Sequence, residues 1–425
     1  MTGTRFHRRN VSSTGSRARP VEEHREAVRA LLSDHLRRRA ETLSLAEASG
    51  RILAETIRAP RSLPPFANSQ MDGYAVRSAD LAHAPAVGLV QLPVSQPIPA
   101  GVPAPELDPG SAAPIMTGAM LPAGADAVVP IEKAVPDAFY APGERAGAVV
   151  GLPSGVPAGQ YVRAAGSDIP AGAAALQEGS RLGPAQLGLL AALGIAEVPV
   201  YAPVRVLLLS TGDEVVEPGM ELAPGQIHDA NTTLLAASLA GAGAEVVRSR
   251  ILADSPEDFL AALRQELGRG QADLVLTSGG ISKGAYEVVR LALAAEGVTF
   301  CSVAMQPGGP QGIGSVDGVP FLGFPGNPVS ALVSFEVFLR PALTAVTGIP
   351  SPRRTLSAVL AGDASSPKGK LQVRRGTYAG GRVELVGGPG SHLVHALAAS
   401  NALVLIPADT EQVKAGSEVT VWLLD

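Results

Sequence analysis

The period of the hydrophobic positions changes along the chain, and each change predicts a different kind of structure. Over 20–39, Val21, Val28, Leu31, Leu32, His35 and Leu36 recur at helical spacing and predict an amphipathic helix. A second short helix is predicted at 44–48, stopped by Gly50. From 57 to 159 the apolar runs shorten and Pro and Gly interrupt them, as at 87–94 and 127–131, which predicts a β-rich lobe. A helix at 184–193, closed by Gly194, ends the mixed stretch that follows.

The rhythm is clearest between 204 and 346. Strands are predicted at 204–209, 245–252, 273–277, 299–304 and 319–322, and helices at 231–242, 256–267, 286–295 and 328–346. Alternation of this kind means parallel strands with crossover helices, hence an open, mostly parallel α/β sheet. Beyond Pro350 the pattern alternates at period two (371–375, 382–386, 402–406, 418–424) and predicts a small C-terminal β-domain. The α/β multidomain chain then divides into a basic tail at 1–19, an N-terminal helical and mixed domain at 20–60 with 148–180, the lobe at 61–147, the α/β domain at 181–347 and the β-domain at 348–425. No solenoid period is visible.

Composition narrows the function. The 425 residues carry 34 Lys+Arg against 39 Asp+Glu, a net charge of −5, which argues against nucleic acid as the partner of the whole surface. Cys301 is the single cysteine, so disulfides, a CxxC pair and cysteine-rich zinc sites are excluded, and a reducing, cytoplasmic setting fits. Its apolar surroundings mark it as a small buried hydrophobe. The apolar stretches are strand-length, short of the roughly 20 residues of a membrane helix. Arg5, Arg8, Arg9, Arg17 and Arg19 make the tail basic, and the folded body is expected to begin near Pro20.

Open α/β sheets bind ligands at the carboxyl ends of their strands. Four glycine-rich turns fall there: Ser210-Thr211-Gly212-Asp213-Glu214, Ser278-Gly279-Gly280-Ile281-Ser282-Lys283-Gly284, Met305-Gln306-Pro307-Gly308-Gly309-Pro310, and Gly323-Phe324-Pro325-Gly326-Asn327-Pro328. Singly such turns punctuate structure; together they suit a phosphate-bearing ligand, because glycine lets backbone N–H groups approach an anion. Neither G-x-x-x-x-G-K-[ST] nor a Gly-x-Gly-x-x-Gly after the first strand is present, which excludes an ordinary P-loop or dinucleotide enzyme by motif. Asp213, Glu214 and Asp229 are candidate Mg²⁺ ligands, since that hard cation takes oxygen ligands and bridges phosphates. The competing readings are a solvated loop acid for Asp213 and helix capping for Asp229 and Asn231. His392 and His395 could share a helix face but have no third ligand nearby in sequence.

Met71-Asp72-Gly73-Tyr74-Ala75-Val76, Ile115-Met116-Thr117-Gly118, Gly166-Ser167-Asp168-Ile169, Ser210–Glu214, Gly225-Gln226-Ile227-His228-Asp229-Ala230-Asn231, Ser278–Gly284 and Pro325-Gly326-Asn327-Pro328-Val329-Ser330 stand in an order that resembles the molybdopterin molybdenumtransferase (MoeA) family, which includes the E domain of gephyrin. The resemblance runs from about Pro20 to the C-terminus. It implies an L-shaped homodimer of four-domain subunits, an α/β domain of molybdopterin-binding type, and insertion of molybdate into adenylylated molybdopterin with release of AMP, assisted by Mg²⁺. It further implies that Asp72 and Thr117 reach into the partner subunit's site, that Asp213, Asp229 and Glu287 are its functional acids, and that Pro325 and Pro328 shape the last loop. Ser210, Thr211, Gly212, Ser278, Gly279, Gly280, Ser282, Pro307, Gly308, Gly326 and Asn327 would bind the pterin substrate. A molybdopterin adenylyltransferase and molybdoenzyme acceptors would be its partners, with no nucleic acid and no membrane.

The chain departs from the family at three places. The family's lysine-bearing loop reads Gln306-Pro307-Gly308-Gly309-Pro310 here, Ser167 stands in place of a Glu, and Gly284-Ala285-Tyr286-Glu287 keeps one acid of two. Only five of the basic residues are lysines (Lys133, Lys283, Lys368, Lys370, Lys414), but drift to arginine would have kept the loop's charge. Lys283 is extra. Two other readings compete with the transferase: an adenylyltransferase, whose smaller fold lacks the lobe and the β-tail, and a weakened molybdopterin-binding scaffold or carrier.

Overall fold

The computed structural model describes residues 17–82, 88–141, 143–252, 255–282, 287–349 and 352–424. The chain forms two compact units, 40–201 and the remainder.

The second of these is built on a six-stranded sheet. Its strands are β1 (Val204–Thr211), β2 (Ala244–Leu252), β3 (Leu274–Ser278), β4 (Thr299–Ser302), β5 (Pro310–Val316) and β6 (Val319–Phe324), in the order β2-β1-β3-β6-β5-β4. The first four in that order pair in parallel, whereas β6–β5 and β5–β4 are antiparallel. The expected parallel sheet therefore carries an antiparallel end: Asp317 and Gly318, both at positive φ, turn β5 into β6 as a hairpin too tight for a crossover helix.

Successive side chains of the inner strands face opposite layers, and both layers are covered, which is why these runs are apolar throughout. Val206, Leu208, Leu274, Leu276, Leu322 and Phe324 pack with Val28, Leu32, Leu235 and Phe338 on one side. Leu207, Leu209, Val275 and Phe321 pack with Phe259, Leu263, Val288 and Leu293 on the other. The helices are α1 (Val21–His35), α2 (Ala230–Ala240), α3 (Pro256–Leu267), α4 (Val288–Leu293) and α5 (Pro328–Thr347).

Three expectations change here. The helix over 20–39 belongs to the α/β unit and not to a mixed domain with 148–180: His24 meets Phe338 edge-on with ring centroids 4.6 Å apart, and Arg25 Nε donates to the Val337 carbonyl at 3.1 Å. The tail ends before Arg19, whose N–H donates to the Ser302 carbonyl at 2.8 Å. And α5 is an apolar stretch of 20 residues, long and apolar enough by length and composition to cross a membrane, but 72% of it is buried in this unit. It passes through a π-turn at Phe335–Leu339, where the buried Glu336 carboxylate receives two bonds from Arg353, at 3.0 and 2.8 Å.

After α5, strands Thr355–Leu360, Leu371–Ala379, Arg382–Leu385, Ala402–Ile406 and Glu418–Leu423 close on one another through the pairing of 371–379 with 402–406. The period-two tail is thus a small barrel around Leu360, Val383, Val404 and Val421. The short strand Met305–Gln306 joins it in parallel, Met305 opposite Leu371.

The 40–201 unit is built mainly of two- and three-stranded sheets. The helix expected at 44–48 is instead strand Ala40–Ser44, paired with Glu197–Tyr201, followed by a turn. The Ser44 N–H and hydroxyl both donate to the Glu47 carboxylate, at 3.3 and 2.6 Å, and close the turn that follows the strand. Helix Pro184–Ala192 packs here too, Leu190 and Leu182 burying against Leu53 and Val198, so the α/β unit begins beyond Tyr201 and not at 181. In the lobe, Gly73–Val76 pairs with Ala113–Ile115 and Ala127–Pro130 over a core of Tyr74, Val76 and Val129.

Candidate active site

Because β1, β3 and β6 are parallel, their carboxyl ends share one edge, and the hairpin returns the start of β5 to that same edge. All four glycine turns therefore meet. They border a cavity of about 1150 Å³ in the α/β unit.

The first two turns are made by close backbone approach. Gly212 has φ +137, and a Cβ there would lie 2.7 Å from the Glu214 carboxylate. Gly279 and Gly280 stand at φ +97 and +64; a Cβ would lie 2.9 Å from the Thr211 carbonyl in the first case and 2.7 Å from Val289 Cγ2 in the second. Only glycine fits such positions without strain. Next to them Ser210, Thr211 and Ser278 are buried, and the Thr211 and Ser278 hydroxyls have no hydrogen-bond partner among the described residues. Unpaired buried hydroxyls are costly, and a ligand's polar atoms would complete them.

The acids separate on inspection. Asp229 caps α2, taking the Thr232 N–H at 3.0 Å and its hydroxyl at 2.6 Å, and still lines the cavity at 5% exposure. Capping and a ligand role are thus compatible. Asn231, one position into α2, donates to the Gly326 carbonyl at 2.6 Å and ties the Gly225–Asn231 segment to the fourth glycine turn. Glu287 lines the cavity at the start of α4 and accepts the Ser282 N–H at 3.0 Å. Glu214 lines it as well. Asp213 does not: the chain turns at Gly212 and leaves Asp213 exposed, outside the lining. Pro307, Gly308, Pro325, Gly326, Asn327 and Pro328 all line the cavity with Ser282. Lys283 lies outside the described residues, as do Gly284, Ala285 and Tyr286.

The barrel adds residues to which the sequence reading gave no place at this site. Lys370, Gly390, Ser391 and His392 line the wall, and Lys370 is the one Lys or Arg among the described lining residues. The buried Arg375 guanidinium bonds the Gly388 and Gly390 carbonyls and so fixes the loop carrying Ser391 and His392. A signal existed in the run Gly387-Gly388-Pro389-Gly390, but only barrel closure brings it here. His395 is not in the lining, and among the described residues no three His, Cys, Asp or Glu side chains group as a metal site.

In the 40–201 unit, the Thr117 N–H and then its hydroxyl donate to Asp72 Oδ1, at 2.6 and 2.7 Å, and together hold that carboxyl below the usual carboxylate range. Gly73 beside it is obligatory, since a Cβ would sit 2.0 Å from the Val129 carbonyl oxygen. The loop pair Asp72–Thr117 is therefore a fixed anionic feature of the lobe.

A mostly parallel α/β sheet with a large glycine-edged cavity, a β-barrel tail and a β-rich lobe defines a multidomain protein of the molybdopterin-binding class. The MoeA N-terminal region (domain I and II) matches residues 19–194, a probable molybdopterin binding domain 207–345, and the MoeA C-terminal region (domain IV) 357–424. The molybdopterin molybdenumtransferase 2 of Mycobacterium tuberculosis is 44% identical over 417 residues, spanning 95% of this chain and 99% of the relative. The Haemophilus influenzae molybdopterin molybdenumtransferase is 38% identical over 90% of this chain and 93% of its own. The crystal structure of a molybdopterin biosynthesis MoeA protein from Pyrococcus horikosii superposes with a TM-score of 0.83 at 32% identity, covering 96% of this chain and all of that one. The chain belongs to the molybdopterin molybdenumtransferase (MoeA) family.

Proposed function

We propose that this protein transfers molybdenum from molybdate to adenylylated molybdopterin and releases AMP, a step of molybdenum cofactor biosynthesis. The observation that carries the reading is the meeting of all four glycine turns on one cavity, with family membership over the whole fold. In this reading the Gly212 and Gly279–Gly280 turns bring backbone close to the phosphates, and the unpaired Thr211 and Ser278 hydroxyls bond substrate. Gly326, Asn327 and Pro328 form the wall that Asn231 anchors. A molybdate oxygen attacks the pterin-side phosphorus of the pyrophosphate linkage and the P–O bond to AMP breaks; the two dithiolene thiols then take the molybdenum, the Mo–O bond to phosphate breaks, and one molybdate oxygen leaves with the thiol protons as water, with no change of oxidation state.

Mg²⁺ fits this donor set in its usual form, with one or two carboxylates and the remaining ligands from phosphate and water. Glu214 and Asp229, which line the same cavity, would hold it, and Asp213 is placed less well. Bound there, the cation would supply neutralisation of phosphate charge. We further propose a cytoplasmic homodimer in which Asp72 and Thr117 of the partner subunit complete the site, fed by a molybdopterin adenylyltransferase and delivering to molybdoenzymes.

The test combines purified protein, adenylylated molybdopterin and limiting molybdate. Molybdate-dependent AMP release and reconstitution of an apo-molybdoenzyme are expected; tight pterin binding without AMP release would select a scaffold instead. The dimer reading predicts that two inactive variants, Asp72→Ala and Asp229→Ala, regain activity when mixed as heterodimers. No recovery in a verified heterodimer rejects it.

A further inference from the structure

The third glycine turn is held differently from the others, and the difference points to a residue outside the cavity. Gln311 is 1% exposed, one position into β5. Its Nε2 donates to the Gly308 carbonyl at 2.7 Å and to the Ser334 hydroxyl at 2.8 Å. Ser334 in turn donates to the Ser330 carbonyl at 2.8 Å, on the last turn of α5 before the π-turn. Gln311 Oε1 has no partner among the described residues. A buried amide with one end unsatisfied is a poor choice for packing alone, because a leucine would avoid that desolvation cost. The side chain is retained for what its donor end does.

That end fixes a peptide plane. The Gly308–Gly309 peptide is trans and planar, so its C=O and N–H point in opposite directions. With the Gly308 carbonyl turned toward Gln311, the Gly309 N–H points away from Gln311, and both glycines line the cavity. No described residue accepts a hydrogen bond from it. Gly309 has no side chain to offer, and Gln306 is a neutral amide whose oxygen accepts from Gln372 Nε2 at 3.1 Å, leaving its uncharged NH2 group as the one side-chain donor of this loop. In this loop the Gly309 N–H is a backbone donor whose aim is set from behind, by the bond that holds the Gly308 carbonyl.

We propose that Gln311, supported by Ser334, is a positioning residue that aims the Gly309 N–H at a tetrahedral oxyanion of the substrates. The oxyanion is molybdate or a phosphoryl group of the adenylylated pterin. This rests on the transferase reading, so the test includes a binding measurement that does not need turnover.

In Gln311→Leu the molybdate KM, at saturating adenylylated molybdopterin, rises about ten-fold or more, as for loss of one hydrogen bond to a charged group, while kcat stays within about two-fold. If the phosphoryl group is the partner, the calorimetric Kd for adenylylated molybdopterin rises by that factor instead and the molybdate KM does not move. Ser334→Ala, which keeps the Gly308 bond, shows a smaller change in the same quantity, and it carries the test alone should Gln311→Leu fail to fold. Gln311→Glu, which cannot donate from its carboxylate, matches or exceeds Gln311→Leu. Unchanged KM and Kd in folded variants overturn the proposal, as does a drop in kcat and Tm together with KM constant. A parent that binds pterin but releases no AMP would defeat the transferase reading while leaving the Kd comparison to judge Gln311.

Discussion

The cavity contains two Gly-Gly turns that look alike in sequence and are held by opposite means. At Gly279-Gly280 the backbone itself sets the shape: both residues have positive φ, and neighbouring atoms leave no room for a Cβ. At Gly308-Gly309 only the first residue is so constrained. Gly309 has no left-handed φ, and a Cβ there would meet its nearest neighbours, the Val303 and Met305 carbonyls, at 3.5 and 3.6 Å, ordinary contact distances. A turn locked by sterics needs no supporting side chain. A turn with open space is aimed by one, here Gln311.

The sharpest way to break this contrast is Gly280→Ala, where left-handed strain and the Val289 clash together should cost about 2–4 kcal/mol. A urea midpoint equal to the parent's would show that the first turn is not locked as described. Next in size is an acid effect behind the second turn. His24 lies beneath β4, its Nδ1 4.0 Å from Cys301 Sγ and 3.3 Å from an Arg19 nitrogen. Burial first, then the Arg19 charge, pushes its pKa down from 6.5 to about 4. Because the unfolded chain takes up the proton first, the stability contributed by neutral His24 is fully present above about 6.5 and is lost as pH falls toward about 4. The loss should be on the order of 2–3 kcal/mol, and His24→Leu should flatten that part of the Tm profile.

Glu287→Gln probes the first turn more gently. It weakens the charge-assisted bond from the Ser282 N–H and should cost about 1 kcal/mol, read by denaturation. The smallest stability change belongs to Gly309→Lys, expected within about 0.5 kcal/mol of the parent because the site has room. Its functional effect is the informative one: a cation restored at this wall should lower the molybdate KM several-fold. Equal KM values at low molybdate would mean that the loop's missing charge does not limit the reaction.

Part of this site was legible before the fold. Strand-end glycines after apolar runs at 204–209 and 273–277 marked the cavity edge, because parallel strands bury both faces and end together. Glu214 and Asp229 could be named from their positions after a strand or before a helix, whereas Glu287 came only from the family resemblance. Asp213 could not be separated from Glu214, since one glycine torsion at 212 decides which of two adjacent acids lines the cavity. Lys370 and His392 were out of reach for a different reason: they lie well beyond β5 in the chain and arrive only through closure of the barrel. Gln311 resembled any polar residue in a strand, and nothing in its neighbours announced that its amide would meet Ser334.

By itself the sequence determined the periodicities, and with them the layers: which strands are apolar on both faces, which helices cover them, and which family the motif order belongs to. These are local properties, carried by spacing along one chain. Tertiary structure decided the rest. It assigned 20–39 to the α/β unit and helix Pro184–Ala192 to the other, turned β5 and β6 into an antiparallel hairpin, and chose a buried glutamine to aim a backbone N–H. Each of those outcomes depends on atoms distant in sequence competing for the same volume, and pattern along the chain holds no record of that competition.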